Sequence, residues 1–162
     1  MIFVTGGTGF LGRHLIANLC QQGYALRVLT RTPELHPWLA DYPNTEIIHG
    51  DIRDAQLIRE SVRGCRYVIH AGGKFAFWGD EEAFFDINVN GAKNVMEACR
   101  HEPVERVIHV STVVVIGEPE PKQIIDENHP VKPQDPYQQS KWQAEYLVRS
   151  YHTDYDVPVI IL

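Results

Sequence analysis

The chain has 162 residues, 44% hydrophobic and 22% charged, which suits one globular domain with a sizeable buried core. Its formal charge of −6 and the lack of any Lys/Arg cluster exclude a duplex-binding face, so no nucleic-acid partner is expected. No apolar run approaches the ~18 residues of a membrane span, so no membrane partner is expected either.

Taken in chain order, Met1 to Val4 read as a strand running into Thr5-Gly6-Gly7, with no signal peptide expected ahead of it. Further strands are predicted over residues 26–30, 46–49, 66–71, 106–111 and 159–162. Each is rich in Val, Ile or Leu without clean alternation, the pattern of strands buried on both faces. Helices are predicted between them, over residues 11–22, 55–62, 81–100 and 137–151, the third with Ile87, Val95, Met96 and Cys99 on one apolar side. Strand and helix alternate, which predicts an α/β fold: a doubly wound parallel sheet with helices on both faces and right-handed crossovers. One long connection, residues 117–136, carries five prolines and no helical period. Cys20, Cys65 and Cys99 are odd in number and not at metal-ligand spacing, so buried free thiols, no metal and a reducing, cytoplasmic setting are expected. The chain ends on a predicted strand with no turn after it, so a second half is expected to be missing.

Two motifs carry chemistry. Thr5-Gly6-Gly7-Thr8-Gly9-Phe10-Leu11-Gly12 places Gly6, Gly9 and Gly12 at G-x-x-G-x-x-G spacing between a strand and a helix. Glycines there permit a tight turn, and backbone N–H groups at a helix N-terminus favour a pyrophosphate, as in Rossmann-type sheets. The second strand ends Leu29-Thr30-Arg31, with no carboxylate for the adenosine ribose hydroxyls of NAD. Arg31 offers a fork for the extra phosphate of NADP, which favours NADP over NAD, and Arg13 is a weaker candidate to assist. The other motif is Tyr137-Gln138-Gln139-Ser140-Lys141, whose i, i+4 spacing puts phenol and ammonium on one helix face. At ~4 Å and an effective dielectric of ~20 the pair couples by about 4 kcal/mol, enough to lower a phenol by roughly 3 pKa units. Ser111-Thr112, at a predicted strand end, supplies a hydroxyl that can hydrogen-bond a carbonyl oxygen.

Together these motifs resemble the extended short-chain dehydrogenase/reductase family, which includes nucleotide-sugar epimerases and dihydroflavonol-type reductases. The resemblance covers essentially the whole chain. Besides the two motifs it rests on His49-Gly50-Asp51-Ile52-Arg53-Asp54, Val68-Ile69-His70-Ala71-Gly72, Asn88-Val89-Asn90-Gly91 and Val110-Ser111-Thr112 with Gly117. It implies an NAD(P)-binding Rossmann domain over residues 1–162, apparently truncated before a C-terminal part that supplies most of the substrate pocket. It implies Tyr137 as catalytic acid–base, Lys141 as the group that tunes it and holds the nicotinamide ribose, and Thr112, rather than Ser111, as the catalytic hydroxyl. Asn88 is implied to support the active-site helix and its water. Gly6, Gly9, Phe10, Leu11, Gly12, Arg31, Asp51, Ile52, Ala71 and Gly72 are implied to line the cofactor.

Val113-Val114 stands where the family's sugar dehydratases carry an Asp-Glu pair, and Ile116 where a tyrosine is common; both favour reduction or dehydrogenation. The segment Lys74-Phe75-Ala76-Phe77-Trp78 either covers an apolar substrate or packs on the missing half. His70 is read as part of a strand end, and the other histidines as surface residues. The resulting expectation is an NADP(H)-dependent oxidoreductase acting on a carbonyl or secondary alcohol of a small molecule. An NAD-dependent nucleotide-sugar epimerase and a non-catalytic dinucleotide-sensing protein are the alternatives. A homodimer through residues 81–100 and 137–151 is implied by the resemblance alone.

Overall fold

The computed structural model describes residues 1–76, 78–119 and 124–162. Phe77 and Pro121, which the sequence reading places on the aromatic segment and the proline-rich connection, lie outside the described residues. Six parallel strands form one sheet: β1 (Ile2–Thr5), β2 (Leu26–Thr30), β3 (Thr45–His49), β4 (Tyr67–His70), β5 (Arg106–His109) and β6 (Val159–Ile161). Their order is β3-β2-β1-β4-β5-β6, the doubly wound arrangement, with the order reversing between β1 and β4.

Adjacent residues of β1 face opposite ways and so serve two cores. Ile2 and Val4 join Ile16, Leu26, Val28, Leu39 and Ile69 under α1 (Phe10–Gln21) and the short turn of 3₁₀ helix Pro37–Asp41. Phe3 faces the other way, into the larger cluster with Ile58, Val62, Val68, Val95, Met96, Val107 and Val148. That cluster lies beneath α2 (Ala55–Val62), α4 (Gly91–Arg100) and α5 (Pro136–Tyr155). The sheet is therefore covered on both faces.

The expectation that every strand is buried on both faces fails at β3, where Glu46, Ile47 and His49 are exposed, and at β6, where Ile160 is. Both strands lie at edges of the sheet, where one neighbour is missing. The predicted helix over residues 81–100 is continuous but not uniform. It runs as α3 (Glu81–Phe85), then a wide π-helical turn (Asp86–Asn90), then α4. The predicted last helix is longer than expected and ends at Tyr155, with Asp156 closing it in the left-handed region at φ 56°.

Candidate active site

A cleft of about 570 Å³ runs along the C-terminal ends of β1, β2, β3 and β4. Of the residues implied to line the cofactor, Gly6, Gly9, Arg31, Asp51, Ile52, Ala71 and Gly72 line this cleft. Phe10, Leu11 and Gly12 do not. Phe10 and Leu11 are 87% and 52% exposed, and Gly12 lies inside the turn, where a Cβ would run into the backbone of Gly6 and Gly7. Gly6 adopts φ 72°, and a Cβ on it would sit 2.5 Å from the Ala71 carbonyl. The loop is thus held against the start of the β4 connection, and only glycine fits.

The helix that follows differs from its neighbours. Asp54 caps α2 and Asp135 caps α5 through side-chain oxygens, whereas α1 begins at Gly9 with no side-chain cap and no acid in its first turn. Its first N–H groups therefore keep their positive potential for an anion above the loop. A wide cleft, a glycine cradle and an uncapped helix start fit the pyrophosphate of a dinucleotide.

Asp51 is pulled below the usual carboxylate range, chiefly by Arg53, which donates to it from Nε at 3.0 Å and Nη2 at 2.9 Å. Arg31 stands nearby and adds to the effect. Arg13 is not in this cleft. Its guanidinium lies 5.2 Å from the ring centre of Trp38, in a neighbouring groove that also contains Phe10, His14 and Tyr42. The sequence reading missed Thr8, Thr30, Thr32, His36, Lys74 and Ile87 as lining residues. Thr30, at the C-terminal end of a strand, follows from the rule that ligands collect there. His36 and Thr32 do not, because an irregular turn brings them round.

At the far end of the cleft Phe75 joins it to the Tyr-Lys pair: its ring meets Tyr137 edge-on at 5.1 Å. Buried Phe84 flanks Tyr137 at 6.0 Å. Three consecutive residues at the end of β5 then pair with three residues on one face of α5. The Val110 carbonyl accepts from Lys141 Nζ at 2.8 Å. The Ser111 hydroxyl donates to Glu145 Oε2 at 2.6 Å. The Thr112 and Tyr137 hydroxyls share a hydrogen bond. Residues 137, 141 and 145 are one helical turn apart, which gives one partner to each strand-end residue. Thr112, not Ser111, is the hydroxyl beside the phenol.

The electrostatics differ from the sequence expectation. Tyr137 is raised above its ordinary value, not lowered: burial outweighs the Thr112 hydrogen bond, and Asp135 adds to the rise. Lys141 is nearly buried and pushed down to about 8, mainly by that burial, with Glu145 opposing it. The i, i+4 spacing places the two groups on one face, and one of the three ammonium donors goes to Val110.

Among the described residues the hydrogen bonds of Asn88 go to Lys74 and Ser140, not to Tyr137. The Asn88 Oδ1 accepts from Lys74 N at 2.7 Å, and its Nδ2 donates to Lys74 O at 3.1 Å and Ser140 Oγ at 2.9 Å. The wide turn Asp86–Asn90 aims it there, so it clamps the connection after β4 to the first turn of α5. The reading of all other histidines as surface residues is corrected at His109. It is 1% exposed, packs at 5.0 Å from His70, and neither ring nitrogen has a hydrogen-bond partner among the described residues. His70 shares a hydrogen bond of 2.7 Å with the Thr5 hydroxyl, which also accepts from Gly72 N at 3.1 Å. No helix among the described residues is long and apolar enough to cross a membrane.

The model of the NAD dependent epimerase/dehydratase family matches residues 2–162. A Stigmatella aurantiaca protein, the 4-hydroxy-2-methyl-3-oxo-4-farnesyl-3,4-dihydroquinoline-1-oxide ketoreductase, is 33% identical over 90% of this chain and 44% of its own length. A short-chain dehydrogenase/reductase superfamily protein from Agrobacterium tumefaciens, solved with bound NAD, has TM-score 0.87 and 28% identity over 99% of this chain and 48% of its own. UDP-glucuronic acid 4-epimerase from Bacillus cereus, with UDP-glucuronic acid and NAD, has TM-score 0.89 and 25% identity over 99% and 55%. The chain thus spans about half the length of the relatives it matches. With its glycine cradle, its strand order and its Tyr-Lys helix, the chain belongs to the NAD dependent epimerase/dehydratase family.

Proposed function

We propose that the chain is the dinucleotide-binding part of an NADP(H)-dependent oxidoreductase that reduces a carbonyl, or oxidises a secondary alcohol, of a small molecule. The observation that carries this reading is the junction at Phe75, where the dinucleotide-shaped cleft meets Thr112, Tyr137 and Lys141. The nicotinamide supplies the hydride when bound. Thr112 orients the carbonyl oxygen, and the Tyr137 O–H gives it a proton as the alcohol forms. A phenol held above its ordinary pKa is protonated at neutral pH, the form that reduction needs. Lys141 holds the nicotinamide ribose, Asp51 and Ile52 border the adenine, and Asn88 keeps the connection after β4 in register with α5. Arg31, at the adenosine end with no acid on the last residues of β2, supports NADP over NAD. A cytoplasmic setting and a homodimer through residues 81–100 and 137–151 belong to the same reading. The exposed rings of Phe85 and Tyr146 support that dimer.

Side-by-side titration with NADP+ and NAD+ tests the cofactor assignment, on this chain and on one extended to the length of its relatives. NADP+ is expected to bind more tightly, and Arg31→Ala to cost about 10- to 100-fold in NADP+ affinity alone. Equal or tighter NAD+ binding would defeat the Arg31 argument. In the extended protein Tyr137→Phe is expected to slow turnover by about 10²- to 10⁴-fold with cofactor affinity kept. An unchanged rate removes Tyr137 as the proton donor. The second reading, an NAD-dependent nucleotide-sugar epimerase, is favoured by the NAD held in the two solved relatives. NAD retained tightly through purification would support it.

A further inference from the structure

We infer that His36 is a specificity-determining residue: with Arg31 and Thr32 it forms a phosphomonoester subsite at the adenosine end of the cleft, for the 2′-phosphate that sets NADP apart from NAD. The inference deepens the proposed cofactor assignment and rests on it. Two short 3₁₀ turns follow β2, Pro33–Leu35 and Pro37–Asp41, each opened by a proline. Leu35 N donates to the Thr32 carbonyl at 3.0 Å and His36 N to the Pro33 carbonyl at 3.0 Å, so the chain doubles back after Arg31. His36 thereby lines the cleft together with Arg31 and Thr32, whereas exposed Glu34 and Leu35 do not. Its half-buried ring is set edge-on to Trp38 at 6.3 Å, and neither ring nitrogen bonds to another described residue.

The charge at this end of the cleft suits an anion. Asp51 is the one acid among the described lining residues, and Arg53 occupies both of its oxygens, Oδ1 through Nε and Oδ2 through Nη2. The neighbouring arginines are taken: Arg27 pairs with Glu46, and Arg53 with Asp51 and Asp86. Among the described residues no carboxylate is hydrogen-bonded to Arg31, whose charge reaches Asp51 only through space. A phosphomonoester brings a charge of about −1.5 to −2 and three acceptor oxygens, more than one guanidinium satisfies. The His36 imidazole and the Thr32 hydroxyl supply the further donors. The bare ribose hydroxyl of NAD brings no such charge, so the three side chains discriminate through donors that NAD leaves unpaired.

Calorimetric titration of His36→Phe tests the subsite, with NADP+ against NAD+ and with 2′,5′-ADP against 5′-AMP as the adenosine-end probes. Phenylalanine keeps the edge-on contact with Trp38 and removes the ring nitrogens. NADP+ and 2′,5′-ADP are expected to bind about 5- to 20-fold more weakly, and NAD+ and 5′-AMP to stay within about twofold. In the double variant with Arg31→Ala the loss for NADP+ is expected to fall short of the product of the two single losses, because both groups meet one phosphate. Equal losses for NADP+ and NAD+ would mean that His36 packs on adenine or only holds the turn, and an unchanged NADP+ affinity that it lies outside the subsite; either overturns the inference. Should His36→Phe fail to fold, His36→Ala is read by the same criterion. An unsubstituted chain that binds NADP+ no more tightly than NAD+ defeats the cofactor assignment and this inference together. Preference for NADP+ that depends on Arg31 and is untouched in His36→Phe defeats the inference alone.

Discussion

His70 and His109 carry a consequence for acid stability. Burial is the first cause of both depressions, with the Lys141 charge adding to each, and it brings His109 down to about 3 and His70 well below its ordinary value. The unfolded chain titrates them near ~6.5. Their folded values are depressed, so above pH ~6.5 both states are neutral and nothing is lost. Below it the unfolded state takes up protons that the folded state refuses, and stability falls as pH drops toward 3. Each histidine contributes about 1.4 kcal/mol per pH unit inside that window. Urea denaturation midpoints are therefore expected to fall between pH 7 and pH 5, and His109→Leu to flatten the decline. A midpoint independent of pH over that range would falsify the assignment. With no hydrogen-bond partner for either ring nitrogen among the described residues, the same substitution at His109 is expected to be cheap at neutral pH, because a buried polar group without partners is costly. Sequence reading grouped His109 with the surface histidines, although it placed it on a strand of the kind buried on both faces. That β4 and β6 flank it and the His70 ring packs on it is a tertiary fact.

At the scale of elements, α5 carries Tyr137, Lys141 and Glu145, and its start is fixed by Asp135. The Asp135 carboxylate accepts from Gln138 N at 2.8 Å, and Pro136 sits at the first helical position. Asp135→Ala is expected to cost about 1 kcal/mol, measured by denaturant unfolding. Asp135→Asn keeps a capping oxygen and removes the charge that helps raise Tyr137. It is expected to leave stability nearly unchanged and to lower the phenol titration, read by ultraviolet absorbance. Loss of stability in both variants would show that the charge, not the cap, matters. The helix was predicted to open at Tyr137 and opens one residue earlier, at Pro136, on a cap, Asp135, that the sequence reading did not name. The wide turn Asp86–Asn90 was not legible: Ile87 and Val89 keep the apolar rhythm, and only Asn88, drawn to the Lys74 backbone and Ser140, marks the place.

For the whole molecule, the proposed homodimer would cover Phe85 and Tyr146, exposed by 42% and 67%. Light scattering is expected to return twice the chain mass, and Tyr146→Glu to return it to one, since a buried interface does not tolerate an unpaired charge. A monomer at working concentration would remove the dimer from the reading.

The sequence by itself determined the alternation of strands and helices, the glycine cradle and the Tyr-Lys spacing. These are local: apolar runs, turn residues and helical periodicity act within a few positions of chain. The strand order was not among them: alternation and crossover handedness fit more than one doubly wound order, and the tertiary structure decided it. Only the tertiary structure decided the state of the groups that the spacing brought together. Burial, which depends on what packs above a residue, raised Tyr137 and lowered Lys141. It gave Ser111 to Glu145 and Thr112 to Tyr137, and it aimed Asn88 at a backbone 14 residues away. Desolvation and through-space charge depend on neighbours distant in sequence, so no window of residues contains them.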